Sequence, residues 1–207
     1  MGMGGSLFIK QLKLGRLDNF SYILGCEDTD HALVLDPAAE PEQILREAEK
    51  VGLIIKYIVN THGHYDHTGA NADLKKRTNA QIVMHALDTH RYPDVDVVLN
   101  KQETFRLGEI DIRIIHTPGH TRGGICLLAE GNLFTGDTLF VDYIGRIDLS
   151  QSDPVSMARS LRILMALPDD TVVWPGHDYG RTPTSTIGRE NQTNKEVQYM
   201  LEKYQEH

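Results

Sequence analysis

Thr61-His62-Gly63-His64-Tyr65-Asp66-His67 follows directly on the apolar run Ile54–Val59. Three imidazoles and a carboxylate within six positions suit metal binding and are a poor choice for a packed core. His62 and His64 are two residues apart. That spacing splays two side chains by roughly 200° on a helix but puts both on one side of an extended segment. The preceding strand supports the extended reading, and Gly63 permits close backbone approach. Asp66 and His67 begin at a bend toward a helix and aim at a different point. The geometry favours two neighbouring ions over one.

Further ligands stand downstream: His120 in Thr117-Pro118-Gly119-His120-Thr121, Asp137 in Thr135-Gly136-Asp137-Thr138, and His177 in Trp174-Pro175-Gly176-His177-Asp178. Each follows an apolar, β-branched run and lies beside a glycine or proline, the mark of a strand ending in a loop. Such loops carry chemistry while the strands hold them rigid. Five of the ten histidines fall in these loops. Five imidazoles and two carboxylates exceed what a closed, four-coordinate structural zinc uses. With Asp137 as a bridge, one ion takes His62, His64 and His120, and the other takes Asp66, His67 and His177. Each keeps room for a shared water, which becomes a nucleophile near neutral pH while the metals polarise a carbonyl or phosphoryl oxygen. The residues therefore read as a hydrolytic centre holding two divalent ions, zinc first, with iron or manganese as alternatives. His31, His85, His90, His116 and His207 lack comparable context. Asp178 reads equally as a group orienting the neighbouring imidazole and as a solvated carboxylate.

At 207 residues the chain supports one sizeable core, and no linker divides residues 1–207. Its 40% hydrophobic and 7% aromatic content is that of an ordinary globular protein. A formal charge of −8 argues against a nucleic-acid partner, since binding phosphates needs Lys and Arg. No segment reaches the roughly 20 apolar residues that span a bilayer. The N-terminal Met1-Gly2-Met3-Gly4-Gly5-Ser6 has no basic flank or apolar stretch of a secretory signal, so the expected setting is cytoplasmic. Gly2 and Ser6 formally match an acylation pattern, but no polybasic segment follows to make one chain an anchor. Cys26 and Cys126 are too few for a disulfide scaffold and read as small buried hydrophobes.

Punctuated apolar runs predict strands at residues 7–14, 20–26, 32–35, 54–59, 81–84, 110–115, 124–128, 132–134 and, last, 171–174. Ile54–Val59 reads as a strand buried on both faces. Helices are predicted from Pro41 to Gly52, from His67 to about Arg77, from Asp153 as N-cap with Pro154 following, and over 188–206. Residues 88–101 read as an irregular loop over the site. Groups of strands each followed by a helix predict an α/β protein with sheets covered by helices on their outer faces.

The pattern His-x-His-x-Asp-His, followed by His120, Asp137 and His177, resembles the metallo-β-lactamase superfamily over nearly the whole chain. The resemblance implies a four-layer αββα sandwich with the metal site at one edge between the sheets, and the same ligands position for position. Asp137, where true metallo-β-lactamases often have Cys, and the absent signal point away from that branch. Thr135-Gly136-Asp137-Thr138-Leu139-Phe140, Gly145-Arg146-Ile147-Asp148 and Pro175-Gly176-His177-Asp178-Tyr179 look most like the glyoxalase II (hydroxyacylglutathione hydrolase) and persulfide dioxygenase branch. There the Arg146 position helps hold an acidic glutathionyl substrate, consistent with bidentate pairing of Arg and carboxylate. A salt bridge with Asp148 or Asp142 is the competing reading. Tyr143 and Tyr179 are further candidate pocket residues. Two features depart from the branch. Thirty residues follow His177, where glyoxalase II carries a helical domain, and Ile144 and Ile147 stand where persulfide dioxygenases have Cys and Thr. The expected activity is hydrolysis of a small anionic thioester such as a hydroxyacylglutathione, with Asp66 orienting the attacking hydroxide. The alternatives are a mononuclear iron persulfide dioxygenase and a non-catalytic metal-binding domain on the same fold. Oligomeric state stays open.

Overall fold

The computed structural model describes residues 5–100 and 103–205. The Gly2 acylation pattern, His207 and the last position of the 88–101 stretch lie outside the described residues.

Six strands form the first sheet: β1 (Leu7–Leu14), β2 (Asn19–Cys26), β3 (His31–Leu35), β4 (Ile54–Val59), β5 (Gln81–His85) and β6 (Val97–Leu99), paired in that order. β1, β2 and β3 pair antiparallel, and β3 to β6 run parallel. The β1–β2 turn has Gly15 and Asp18 at positive φ, which lets two strands reverse tightly. Parallel neighbours need a crossover. Helix α1 (Pro41–Lys50) supplies it between β3 and β4, and α2 (Tyr65–Thr68) with α3 (Asn71–Thr78) between β4 and β5. The strands of the second sheet are β7 (Thr104–Leu107), β8 (Ile110–His116), β9 (Ile125–Ala129), β10 (Asn132–Gly136), β11 (Val172–Pro175) and β12 (Ser185–Thr186). They pair in the order β12-β11-β10-β9-β8-β7. Helices α4 (Pro154–Met165), α5 (Ile187–Thr193) and α6 (Lys195–Lys203) cover its outer face.

Three apolar layers explain the αββα stack. Between the sheets lie Tyr22, Leu33, Leu35 and Val83 against Ile112, Ile114, Leu127 and Phe134. Ile23, Val34, Ile58 and Ile82 pack outward onto Ile44 of α1 and Leu74 of α3. Ile115, Leu133 and Val173 pack onto Met157, Leu161 and Leu164 of α4 and Val197 and Met200 of α6. Covered on both faces, β2 is buried at every position. Cys26 and Cys126 are free and buried, as read, and burial pushes the Cys126 thiol up to about 11. Among the described residues, no helix is long and apolar enough to cross a membrane.

Several elements differ from expectation. β4 is not buried on both faces throughout: Ile54 is 54% exposed and Lys56 also faces out, whereas Ile55 between them is buried in the cluster that holds Ile44 and Ala48 of α1. The helix predicted from His67 is broken. Gly69 packs so tightly against the Ala38 carbonyl that a Cβ has no room, and Ala70 N–H bonds to Pro37 O at 2.9 Å instead of continuing a helical ladder. The predicted loop at 88–101 holds the end of a short 3₁₀ helix (Ala86–Arg91) and all of β6. β7 was too short and polar to signal itself. β12, not β11, ends the second sheet. The closing helix splits at Asn194, whose side chain caps α6 by accepting from Glu196 N and Val197 N.

Candidate metal centre

Five segments meet at one edge of the sandwich. β4 delivers the loop with His62 and His64, and α2 presents Asp66 and His67. The β8–β9 loop carries His120, the end of β10 carries Asp137, and the end of β11 carries His177. His64 has extended backbone, φ −70° and ψ 147°, so it projects to the same side as His62. His62 Nε2 and His64 Nδ1 stand 2.9 Å apart, and His120 Nε2 lies 3.0 Å from His64 Nδ1. In a second group, His67 Nε2 and His177 Nε2 are 3.1 Å apart, with Asp66 Oδ2 at 3.5 and 3.6 Å from them. Asp137 lies between the groups. Its Oδ1 is 3.3 Å from His67 Nε2 and 3.4 Å from His177 Nε2, while its Oδ2 is 3.4 Å from His120 Nε2 and 4.0 Å from His62 Nε2. All seven residues singled out in the sequence thus converge in two sets around one carboxylate.

The opposite ring nitrogens explain why these nitrogens face one another. Nδ1 of His177 meets Leu17 O at 2.8 Å, Nδ1 of His120 meets Arg146 O at 2.9 Å, and Nδ1 of His67 meets Asp36 Oδ2 at 3.1 Å. Carbonyls and carboxylates only accept, so each Nδ1 carries a proton, and a ring in its neutral form turns the lone pair of Nε2 inward. His62 Nδ1 bonds Thr61 Oγ1 at 3.1 Å, and that hydroxyl donates to Asp36 Oδ2 at 2.6 Å. Nitrogens converging at these separations are held together by a shared proton or by a metal ion. Ring nitrogens bound to zinc at about 2.1 Å in a tetrahedron would stand about 3.4 Å apart, close to what is seen.

Electrostatics give the same answer. Burial, reinforced by His67, pulls the His62 imidazole well below its ordinary value, and burial and His120 pull His64 down to about 4. Burial also opposes charge on His67, but Asp137, Asp36 and Asp66 outweigh it and raise that ring to about 9. Asp137 is held well below the usual carboxylate range by His67 and His177 despite its burial. Its Oδ1 is buried with no hydrogen-bond partner. A donor set of imidazoles and carboxylates with such an orphaned oxygen fits divalent metal.

Two residues behind the ligands escaped the sequence reading. Asp36 stands with Pro37 directly after β3, as an ordinary turn residue would. It is buried and accepts from Thr61 N at 2.7 Å, Thr61 Oγ1 and His67 Nδ1. It also lies near His62 and His67 as a possible third metal group, but with both oxygens engaged it orients those rings. The usable signal was its position at the end of β3, which pairs parallel with β4 and so ends beside Thr61. Asn19 donates from Nδ2 to both O and Oδ2 of Asp66, each at 3.0 Å. Nothing local marked it.

The centre opens into a cleft of about 290 Å³ whose other walls include Leu17, Tyr65, Phe140, Arg146, Leu149 and Tyr179. Tyr179 stacks on His177, with ring centroids 4.6 Å apart and planes at 11°, and donates to Leu17 O at 3.2 Å. Arg146 is exposed at the rim and forks onto Asp148, with Nε and Nη2 each 2.9 Å from a carboxylate oxygen. Asp142 instead pairs with Arg181 and Arg189. Tyr143 is half exposed and lies outside the residues lining the cleft; its carbonyl accepts from Asn194 Nδ2. Asp178 binds Lys13 at 3.0 Å, and the His177 ring is oriented by Leu17 O.

Residues 14–177 match the Metallo-beta-lactamase superfamily. Over 165 residues the chain is 43% identical to a hydroxyacylglutathione hydrolase of Rhodospirillum rubrum, covering 78% of this chain and 63% of that protein. It thus spans less than two-thirds of that relative's length. The fold is similar to the crystal structure of ETHE1 from Myxococcus xanthus, with a TM-score of 0.83 and 31% identity over 92% of this chain and 84% of that one. It is also similar to TTHA1623 in a di-iron-bound form, with a TM-score of 0.78 and 32% identity over 90% of this chain and 98% of that one. The family match runs from the end of β1 to His177 and takes in all seven converging residues, so the chain belongs to the metallo-beta-lactamase superfamily.

Proposed function

We propose that residues 1–207 form one metallo-β-lactamase-fold domain that hydrolyses a small anionic thioester of the hydroxyacylglutathione type, using two divalent ions. The observation that carries this reading is the placement of Asp137, with one oxygen toward His62 and His120 and the other toward His67 and His177. His62, His64 and His120 would hold one ion, Asp66, His67 and His177 the other, and Asp137 both. Zinc suits these donors, with iron or manganese as alternatives. Metals at such a site make water a nucleophile at neutral pH and polarise a carbonyl oxygen. Asp66 is the catalytic carboxylate of the chain: Asn19 fixes it at the floor of the cleft, where it orients the attacking water. Phe140 and Tyr179 wall the space for the acyl and thiol portions. The hydrolase name of the Rhodospirillum rubrum relative supports thioester chemistry. A cytoplasmic setting without nucleic-acid or membrane partners goes with this reading.

Arg146 is the substrate-binding candidate, because its side chain lies at the rim while only its backbone carbonyl supports His120. Arg146→Ala should leave metal content unchanged and raise KM for a carboxylate-bearing thioester roughly 10-fold, with kcat little altered, as when uniform binding is removed. An unchanged KM in steady-state kinetics would take Arg146 out of the site.

The pair His62 and His120 with Asp137 also forms a two-histidine, one-carboxylate face, which favours a second reading as a mononuclear iron persulfide dioxygenase. One experiment separates the two. Protein purified without added metal is analysed for metal content and assayed anaerobically with a hydroxyacyl thioester. Two ions per chain and oxygen-independent hydrolysis are expected. One iron per chain, with oxygen consumed on glutathione persulfide, would replace the proposal with the second reading.

A further inference from the structure

Asp88 is a carboxylate with 0% exposure on the 3₁₀ helix after β5, and the reaction described above makes no use of it. Its two oxygens are divided. Oδ2 accepts from Gly63 N at 2.9 Å, and Oδ1 accepts from Gly123 N at 2.8 Å. Gly63 separates His62 from His64, and Gly123 lies three residues beyond His120. One buried side chain therefore ties together the two loops that supply the first ligand set.

Close packing points to the same place independently of the hydrogen bonds. A Cβ on Gly63 would come within 2.9 Å of both Asp88 O and Arg91 Cβ. A Cβ on Gly123 would come within 2.7 Å of the Asp88 carboxylate. Each loop thus offers bare backbone at the point where Asp88 grips it. Burying a carboxylate is costly unless it is hydrogen-bonded. Here two amides from loops far apart in sequence satisfy it, and the separation of those loops is fixed by the span of one carboxylate.

The second set has different supports. His67 rests on Asp36, His177 on Leu17 O, and Asp66 on Asn19, and none of these bonds involves Asp88. We propose that Asp88 is a positioning residue for the first set alone, holding the segment His62-Gly63-His64 and the loop after His120 at the distance one ion requires. The inference rests on the metal reading given above. It adds that, beside the supports the two sets share in Asp36 and Asp137, the first set has one of its own, so that the first ion can be weakened with the second kept.

The test is Asp88→Asn, which keeps size but turns an N–H donor toward one of the two amides. Zn²⁺ is titrated against a chromophoric chelator in the full chain, in wild type and variant, and again in His177→Ala and His120→Ala backgrounds. The first background leaves the His62, His64 and His120 set as the main site; the second leaves the Asp66, His67 and His177 set. Asp88→Asn should weaken zinc 10- to 100-fold in the His177→Ala background, the usual cost of losing a group that orients ligands, and leave the His120→Ala background unchanged. Far-UV circular dichroism together with retained zinc in the second set shows that the variant is folded. Equal weakening of both sets, or no weakening of either, would overturn the inference. Wild-type protein that takes up no zinc would overturn the metal reading and this inference with it, whereas normal wild-type uptake with an unaffected variant removes only the role of Asp88.

Discussion

Asp137→Ala is expected to release both ions and to lower kcat/KM for thioester hydrolysis by on the order of 10³-fold or more, equivalent to about 4 kcal/mol of transition-state stabilisation. Groups that only orient ligands typically cost 10- to 100-fold when removed. Asp137 should exceed that because it reaches nitrogens of both sets within 3.4 Å, to His120 on one side and to His67 and His177 on the other. It is also the negative charge on which His67 most depends for its raised basicity. Its position is set by backbone. Gly136 has φ +46°, and a Cβ on Gly176 would come within 2.6 Å of Asp137 Oδ1. Asp137→Asn is the finer probe, since it keeps the shape and removes the charge, and it should also lose metal. The measurements are metal per chain by elemental analysis and anaerobic turnover. Full metal occupancy with retained turnover in either variant would show that Asp137 bridges nothing.

The ligands were legible in the sequence because metal chemistry restricts residue type and strand ends restrict place. His62-x-His64 stands after an apolar strand, and His120, Asp137 and His177 each stand beside glycine or proline at the end of another. That grammar also yielded the layered fold, since the runs with alternating burial are the ones that pack between or outside the sheets. What stayed hidden was support. Asp36, Asn19 and Asp88 matter through parallel pairing, a hairpin turn and a 3₁₀ helix, and nothing in their own neighbourhoods distinguishes them from turn residues. Breaks in helices were hidden for a similar reason. Gly69 interrupts its helix because of Ala38, a residue far back in the sequence, and Asn194 because it must reach the carbonyl of Tyr143 as well as cap α6. The rim of the cleft was the least legible part, because Arg and Tyr are ordinary surface residues until a cleft forms beside them.

Removing metal from the wild-type protein should lower Tm by about 8–16 °C for each ion lost, and zinc should restore it where magnesium does not. An ion present at about 1,000 times its Kd stabilises the folded state by ~4.1 kcal/mol, and a chain of this size gains roughly 2–4 °C per kcal/mol. The structure explains why the coupling should be strong. His62, His64 and His120 bring ring nitrogens to 2.9–3.0 Å of one another in a buried site. Without a cation, His64 Nδ1 can donate its one hydrogen to only one of its two neighbours, so the other contact sets lone pairs against each other. The second set can compensate in part, because Asp137 and Asp36 favour a proton on the buried His67. The total loss for two ions should therefore fall short of twice the loss for one, with the first set contributing more. Zinc accepts imidazole readily, whereas magnesium demands oxygen ligands and keeps its water. Thermal melts followed by circular dichroism, on chelated protein and on protein reloaded with each ion, decide the matter. Recovery with magnesium, or an unchanged Tm after chelation, would mean that the folded state does not depend on metal at the imidazole cluster.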